Sequence, residues 1–440
     1  MKKTIFAMVG AALALGFTGC SKESNLSKSS AEGTATKLKV SLTFPRTETT
    51  RNTGDLNGTD NESQVNTVDV FIYTSGGAFS SHAPLDASDF SQETSTGSAD
   101  VYEATTKIPT TTGAKSVFVG INLPTSVVNA VKNQPASALF SAVQTMSRAQ
   151  LAGATNFAMF STQAVNSTFV EDENDPANSI KVQCKRLVAK VTVETSATLN
   201  QDGAPGVINN LQFAINNFNT KLFLIQGAAD YHKDPNWASG SYVAGDFNDA
   251  EATDYAPILS RALITTPAIE DYTPLYAAEN TSEGKLKNEI TRVTVRATFI
   301  PTEIVEGTTG NFTVDNAHGI TTPQTFYAVT PSVMDGTAYF FDSTAADEFA
   351  DERGGSVITY TGGFCYWDIF LNKNPEKIIN RWDVLRNDFY KCNITRIVLP
   401  GRYTPDITDP GITPDTDTSI FVDVELLFWH TPILANYELE

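Results

Sequence analysis

The side chains best suited to chemistry in this 440-residue chain are few and far apart. Its histidines, His82, His232, His318 and His430, are so scattered that a histidine-based centre would have to be assembled from distant loops. His232 lies beside Asp234 and His318 near Asp315, yet neither comes with a nucleophile elbow or a metal-binding histidine pair, so both read as surface residues. Asp409, Asp415 and Asp417, and likewise Glu171, Asp172, Glu173 and Asp175, suggest calcium. They lack the spacing, glycine and terminal glutamate of an EF-hand loop and read as solvated loops holding no metal. Tyr366, Trp367, Trp382 and Trp429 could stack on sugars, but large aromatics more often pack a core or a groove between subunits. A surface hydrolase would need paired carboxylates at a defined separation, which a sequence does not reveal. The expectation is a protein without enzymatic activity or cofactor.

Composition narrows the partners. Hydrophobic residues make up 41% and charged residues 18%, a globular mix, and the 28 glycines and 20 prolines argue against long helices. Fifty acidic against 31 basic residues give a formal charge of −19, which repels a phosphate backbone or an anionic bilayer, so nucleic acid is not an expected partner. Membrane attachment is expected only through a lipid. Met1-Lys2-Lys3 and the apolar stretch Thr4 to Phe17 have the form of a signal peptide too short to remain as a spanning helix. The run ends in Gly16-Phe17-Thr18-Gly19-Cys20, which resembles a bacterial lipobox with Cys20 as the lipidated residue, although Phe17 stands where leucine is usual. Ser21 to Thr34 is a polar leash. Of the other cysteines, Cys365 and Cys392 could pair, but three buried thiols acting as small hydrophobes is the plainer reading for Cys184, Cys365 and Cys392.

The elements that carry these residues read as strands. Leu38–Phe44, Val68–Tyr73, Ser116–Gly120, Leu187–Val193 and Arg292–Phe299 alternate apolar and polar residues and are bounded by turn formers, as in antiparallel β-sandwiches. Ser126 to Arg148, with Val127, Val131, Leu139 and Val143, is the one convincing helical stretch and predicts one or two short helices. A polar, turn-rich segment after Val193 predicts a domain boundary near Pro205. The expected organisation is a signal peptide over 1–20, a propeptide over 21–51, sandwich domains over 52–205 and 206–400, and an arm with a terminal strand over 401–440. Gly401 to Ser419 is rich in proline and aspartate and should stay extended. The strand after it places Ile420, Val422, Val424, Leu426 and Phe428 on one face. Near the other end, Leu38, Val40, Leu42 and Phe44 have the same alternation, followed by Arg46 and Arg51 in a polar segment open to proteolysis. A cut there would free a removable strand.

In this order the segments resemble a fimbrillin of the FimA/Mfa family, the type V pilus subunits of Bacteroidales-type bacteria. The resemblance is carried by the lipobox, by KLKVSLTFPRTETTR followed by NESQVNTVDVFIY, by Cys184–Val191, by Leu275–Thr281, and by Val384–Thr395 ahead of the arm and Trp429. It implies two tandem transthyretin-like sandwiches, delivery as an outer-membrane lipoprotein, and a cut by a trypsin-like, Arg-specific protease. Other pilin subunits are the implied partners, the terminal strand of one (Ile420, Val422, Val424, Leu426, Phe428) filling the groove vacated in the next; the surface receptor is not identified. Matched position by position, Arg51 is the better cleavage candidate and Arg46 the second. Cleavage after Arg51 would leave 23 basic and 47 acidic residues. Having both a removable strand and a donor-like tail favours a shaft subunit over a tip or an anchor.

Burying four or five large apolar side chains contributes about 1.5–3 kcal/mol each, nearly offset by about 1–2 kcal/mol for each of some nine ordered residues. What decides the exchange is the exposed groove, whose apolar floor and unpaired edges any inserted strand would cover. The alternative from another class is a monomeric surface lipoprotein that binds glycans and stays tethered through Cys20.

Overall fold

A computed structural model describes residues 33–45, 60–93, 99–201, 205–226, 234–236, 243–261, 273–281, 289–330, 337–371, 382–407 and 420–429. The protein is mainly β. Each strand expected from alternation forms, because each carries β-branched or aromatic residues on the face it buries.

The first sheet runs Phe79–Asp86, Thr67–Thr74, Gly113–Ile121, Met159–Ser161, Ser179–Arg186, Ala35–Pro45, Ala99–Ala104 and Phe90–Glu93 in spatial order. The leading strand, Ala35–Pro45, is interior to it. It lies parallel to Ser179–Arg186, with Lys39 opposite Ser179 and Thr43 opposite Gln183. On its other side it is antiparallel first to Ile108–Thr111 and then to Ala99–Ala104. Leu38, Val40 and Leu42 are fully buried and Phe44 is 3% exposed.

The C-terminal part has two main sheets. In one, Val188–Asn200 is central, antiparallel to Leu275–Ala278 and parallel to Asp388–Ile397, which in turn pairs with Ile420–Phe428 at the edge. The other runs Ala256–Pro257, Gly206–Asn216, Arg292–Pro301 and Phe364–Phe370. The parallel pairs depart from the purely antiparallel expectation, and each requires a long crossover before the chain returns. The expected boundary near Pro205 does not coincide with the change of sheet. Strand Val188–Asn200 pairs with C-terminal partners, so the change falls at Leu187, directly after Ser179–Arg186.

The predicted helical stretch becomes three short helices, Thr125–Val131, Ala138–Ser141 and Arg148–Leu151. They bury Val127, Val131 and Leu139, whereas Val143 lies between helices and is 51% exposed. A longer helix, Ser343–Arg353, was not expected. Asp342 caps it by accepting from the Thr344 and Ala345 amides at 2.7 and 3.0 Å, and Gly354 ends it at φ +69°. Its apolar face is mostly alanine, Ala345, Ala346 and Ala350, which gives a weak periodic signal. With strands Phe326–Thr330, Ala338–Phe340 and Ser356–Tyr360 it encloses a small separate core around Val329 and Phe340.

Because Leu42 fills a fully buried position, Leu42→Ala is expected to destabilise the full-length chain by about 2–5 kcal/mol. Denaturant unfolding against the unsubstituted protein measures this.

Candidate assembly site

The leading strand is held by side chains as well as by its ladders. Lys39 Nζ lies 2.6 Å from Glu103 Oε2, and Lys37 Nζ lies 3.0 Å from Glu173 Oε2. Hydrogen bonding from Lys37 and Lys107 holds the Glu173 carboxyl below its ordinary pKa. The Thr36 hydroxyl donates to the Val170 carbonyl at 2.7 Å and accepts from Asn178 Nδ2 at 3.1 Å. Strand and seat are therefore matched in apolar fill, charge and hydrogen bonding, although residues 64 to 142 positions apart supply them.

The terminal strand Ile420–Phe428 occupies the edge of its own chain's sheet, with Ile420 opposite Ile397 and Phe428 opposite Asp388. Ile420 is buried, Val422 and Val424 are half-buried, and Phe421, Asp423 and Glu425 face outward. The expected alternation thus holds from 420 to 425; the side chains of Leu426 and Phe428 lie outside the described residues. A strand that the sequence alone would send in search of a groove is, in the isolated chain, already seated. Cys20, Arg46 and Arg51 also lie outside the described residues, as do His232, His430, Asp409, Asp415 and Asp417.

Directly after this strand, Trp429 is 2% exposed and enters a buried charged cluster. At its centre is Glu62, in the short turn Asp60–Ser63 between the leading strand and Thr67–Thr74. Glu62 Oε1 receives Lys190 Nζ at 2.8 Å and the Tyr276 hydroxyl at 2.6 Å, and its Oε2 accepts from the Trp429 indole N–H at 3.1 Å. Arg186 donates to the Glu62 carbonyl and to Ser63 Oγ, both at 2.8 Å, and its guanidinium carbon lies 4.3 Å from the Trp429 ring centroid. Tyr276 stacks on Trp429 with centroids 5.7 Å apart, and Phe157 meets both rings edge-on. Burial pulls the Arg186 pKa down to about 10 and the Lys190 pKa in the same direction, with Glu62 opposing both shifts. Burial, reinforced by Glu62, pushes the Tyr276 phenol up.

The segments singled out in the sequence converge here. Cys184–Val191, Leu275–Thr281 and Val384–Thr395 form adjacent strands and their connecting turns. Arg386 grips Glu279 with two nitrogens, at 2.8 and 3.1 Å. Asn387, at φ +61°, donates its amide to the Val188 carbonyl at 2.7 Å and accepts from the Arg186 amide at 3.2 Å. Lys190 could have been flagged, as a lone lysine among buried Val188, Ala189, Val191 and Val193 needs a counter-ion. Glu62 could not, because NESQ has no pattern that distinguishes it from a solvated loop.

The remaining candidates sit elsewhere. His82 bonds Asp69 at 2.8 Å and stacks on Phe71, while His318 bonds the Pro301 carbonyl at 3.0 Å. Glu173 serves the lysines of the leading strand. Trp367, Trp382 and Trp429 are all buried. The three described cysteines are buried and unbridged, and burial pushes the Cys392 thiol up to about 12.

Burial, together with Asp234 and Glu279, pushes the Asp383 carboxyl up to about 8 from its ordinary 3.8. Such a group binds its proton more tightly folded than unfolded, so its effect is to lower stability as pH rises from about 4 toward 8. Asp383→Asn is expected to flatten that slope, measured by denaturant unfolding at several pH values.

Residues 36–205 match the family model described as major fimbrial subunit protein (FimA). Residues 358–432 match that described as major fimbrial subunit protein type IV, fimbrillin, C-terminal. Together the two span more than half of the chain. No curated protein matches. Among solved structures, the chain is similar to a fimbrilin (FimA) from Porphyromonas gingivalis, at 14% identity over 89% of this chain and 98% of that one, with a TM-score of 0.47. It is also similar to a protein assigned to cell adhesion from Bacteroides eggerthii, at 12% identity over 90% and 98%, with a TM-score of 0.49.

Proposed function

We propose that this chain, which belongs to the fimbrillin family of fimbrial subunits, is a pilin assembled by strand exchange after its leading strand is removed. As a fimbrial subunit it assembles with other fimbrial subunits at the cell surface. The finer reading is a precursor exported as a lipoprotein through Cys20 and cut after Arg51 or Arg46. It is built from two tandem transthyretin-like sandwiches whose sheets change at Leu187. The terminal strand of one copy then occupies the leading-strand seat of the next.

The observation that carries this reading is the burial of Leu38, Val40, Leu42 and Phe44 between partners on both sides. A strand so placed leaves an apolar channel with two unpaired ladders when withdrawn, and that channel is an acceptor for another extended segment. While still attached, the strand blocks the channel at high effective concentration. The terminal strand supports the donor role in that, among the described residues, it is an edge strand laddered on one side only, and can leave without disrupting an interior pair. The glycan-binding alternative has less support, since three of its four candidate aromatics, Trp367, Trp382 and Trp429, are buried, and only Tyr366 is half-buried.

Deleting residues 420–440 is expected to yield an exported, folded monomer that forms no filaments. N-terminal sequencing of subunits from sheared surface filaments should begin at Asn52, or at Thr47 if Arg46 is the site. Filaments that persist after the deletion, or subunits that retain an acylated Cys20, would reject the mechanism.

A further inference from the structure

We infer that Glu62, Arg186 and Trp429 form a latch that keeps the terminal strand seated on its own sheet and links its release to the seating of the leading strand. The inference deepens the strand-exchange reading and rests on it for its consequence, but the latch itself is a property of the single chain.

The terminal strand is weakly held along its length. Among the described residues it has a ladder on one side, and Val422 and Val424 are only half-buried. Its ends are held more tightly, with Ile420 8% and Trp429 2% exposed. Trp429 carries three ties at once: its indole N–H to Glu62, its ring between the Arg186 guanidinium and Tyr276, and its carbonyl to Arg186 Nη1 at 3.5 Å. Removing the tryptophan would take one donor from a buried carboxylate and the aromatic cover from a buried guanidinium, so detachment at this end is disfavoured.

Two of the groups that hold Trp429, Glu62 and Arg186, belong to elements tied to the leading strand. Arg186 is the last residue of Ser179–Arg186, the parallel partner of Ala35–Pro45. Glu62 sits in the first described turn after that strand, joined to it through residues 46–59. When the leading strand leaves, the strand that ends in Arg186 loses one of its two ladder partners, the one along residues 179–183, and keeps the Met159–Ser161 pairing, while Glu62 loses its chain connection to a fixed element. Both act in the same direction, loosening Trp429. By linkage, the seated terminal strand must also favour the seated leading strand. A precursor therefore keeps its donor strand in place, and processing prepares acceptor and donor together.

The test is hydrogen–deuterium exchange on the full-length chain, comparing the native protein with Trp429→Phe, Glu62→Gln, Leu42→Ala and the Leu42→Ala/Trp429→Phe double variant. Trp429→Phe keeps a ring but loses the N–H, so it reports on the latch should Glu62→Gln fold poorly. Trp429→Phe is expected to speed exchange at amides 420–428 about tenfold, with the Arg292–Pro301 strand as the unchanged reference. Leu42→Ala, far from Trp429 in sequence, should speed the same amides relative to that reference, and the double variant should fall short of the product of the single effects. Unchanged exchange at 420–428 in a folded Leu42→Ala protein, or a double variant equal to the product, would overturn the latch. Filament formation is scored separately: coupled exchange in a chain that never forms filaments upholds the latch and removes the donor reading.

Discussion

The structure depends on the backbone of residues 35–45 having partners on both sides. An interior strand uses its N–H and C=O groups in two ladders, and this one also sends four large apolar side chains into the core. Its seat cannot stand empty without exposing two edges and the apolar floor between them. The rest of the first sheet is arranged to close that seat. Ser179–Arg186 arrives from far along the chain to lie parallel to it, and Thr36, Lys37 and Lys39 are held by Val170, Glu173 and Glu103. Such a strand is hard to lose as long as nothing replaces it.

The second organising feature is charge brought out of water where the sheets change. Glu62 faces Lys190, with Arg186 close by, and Arg386 faces Glu279. Buried ion pairs of this kind roughly break even in stability against apolar packing, but they do not tolerate a missing partner. They therefore enforce one arrangement of the elements that meet there. The aromatic layer of Phe157, Tyr276 and Trp429 reinforces this, because the tyrosine and tryptophan present their polar edges to the same carboxylate.

The helix-bearing unit between Arg292–Pro301 and Phe364–Phe370 is of another kind. It has its own core, and most of it lies between the two stretches that match the family models. Its helix rests on an N-cap and a C-terminal glycine, both local devices, and the two strands that flank the unit pair directly with each other.

What the sequence determined by itself is whatever depends on local alternation. The period-two patterns of Leu38–Phe44, Val68–Tyr73 and Arg292–Phe299 specify strands whose apolar residues share one face, because a one-residue slip would move all of them to the other face. That Val68–Tyr73 and most of Arg292–Phe299 are buried on both faces came only with the tertiary structure. The three family-like blocks, Cys184–Val191, Leu275–Thr281 and Val384–Thr395, were legible as segments, but not as neighbours. Their adjacency, the parallel pairing of Val188–Asn200 with Asp388–Ile397, and the change of sheet at Leu187 are long-range choices settled by which edges the rest of the chain leaves open. Only the tertiary structure decided that Ile420–Phe428 rests on its own sheet, and that an unremarkable glutamate in NESQ neutralises a lysine 128 residues away while receiving the indole of Trp429. A buried charge depends on what surrounds it in three dimensions, and alternation along the chain records only which face of a strand is turned inward.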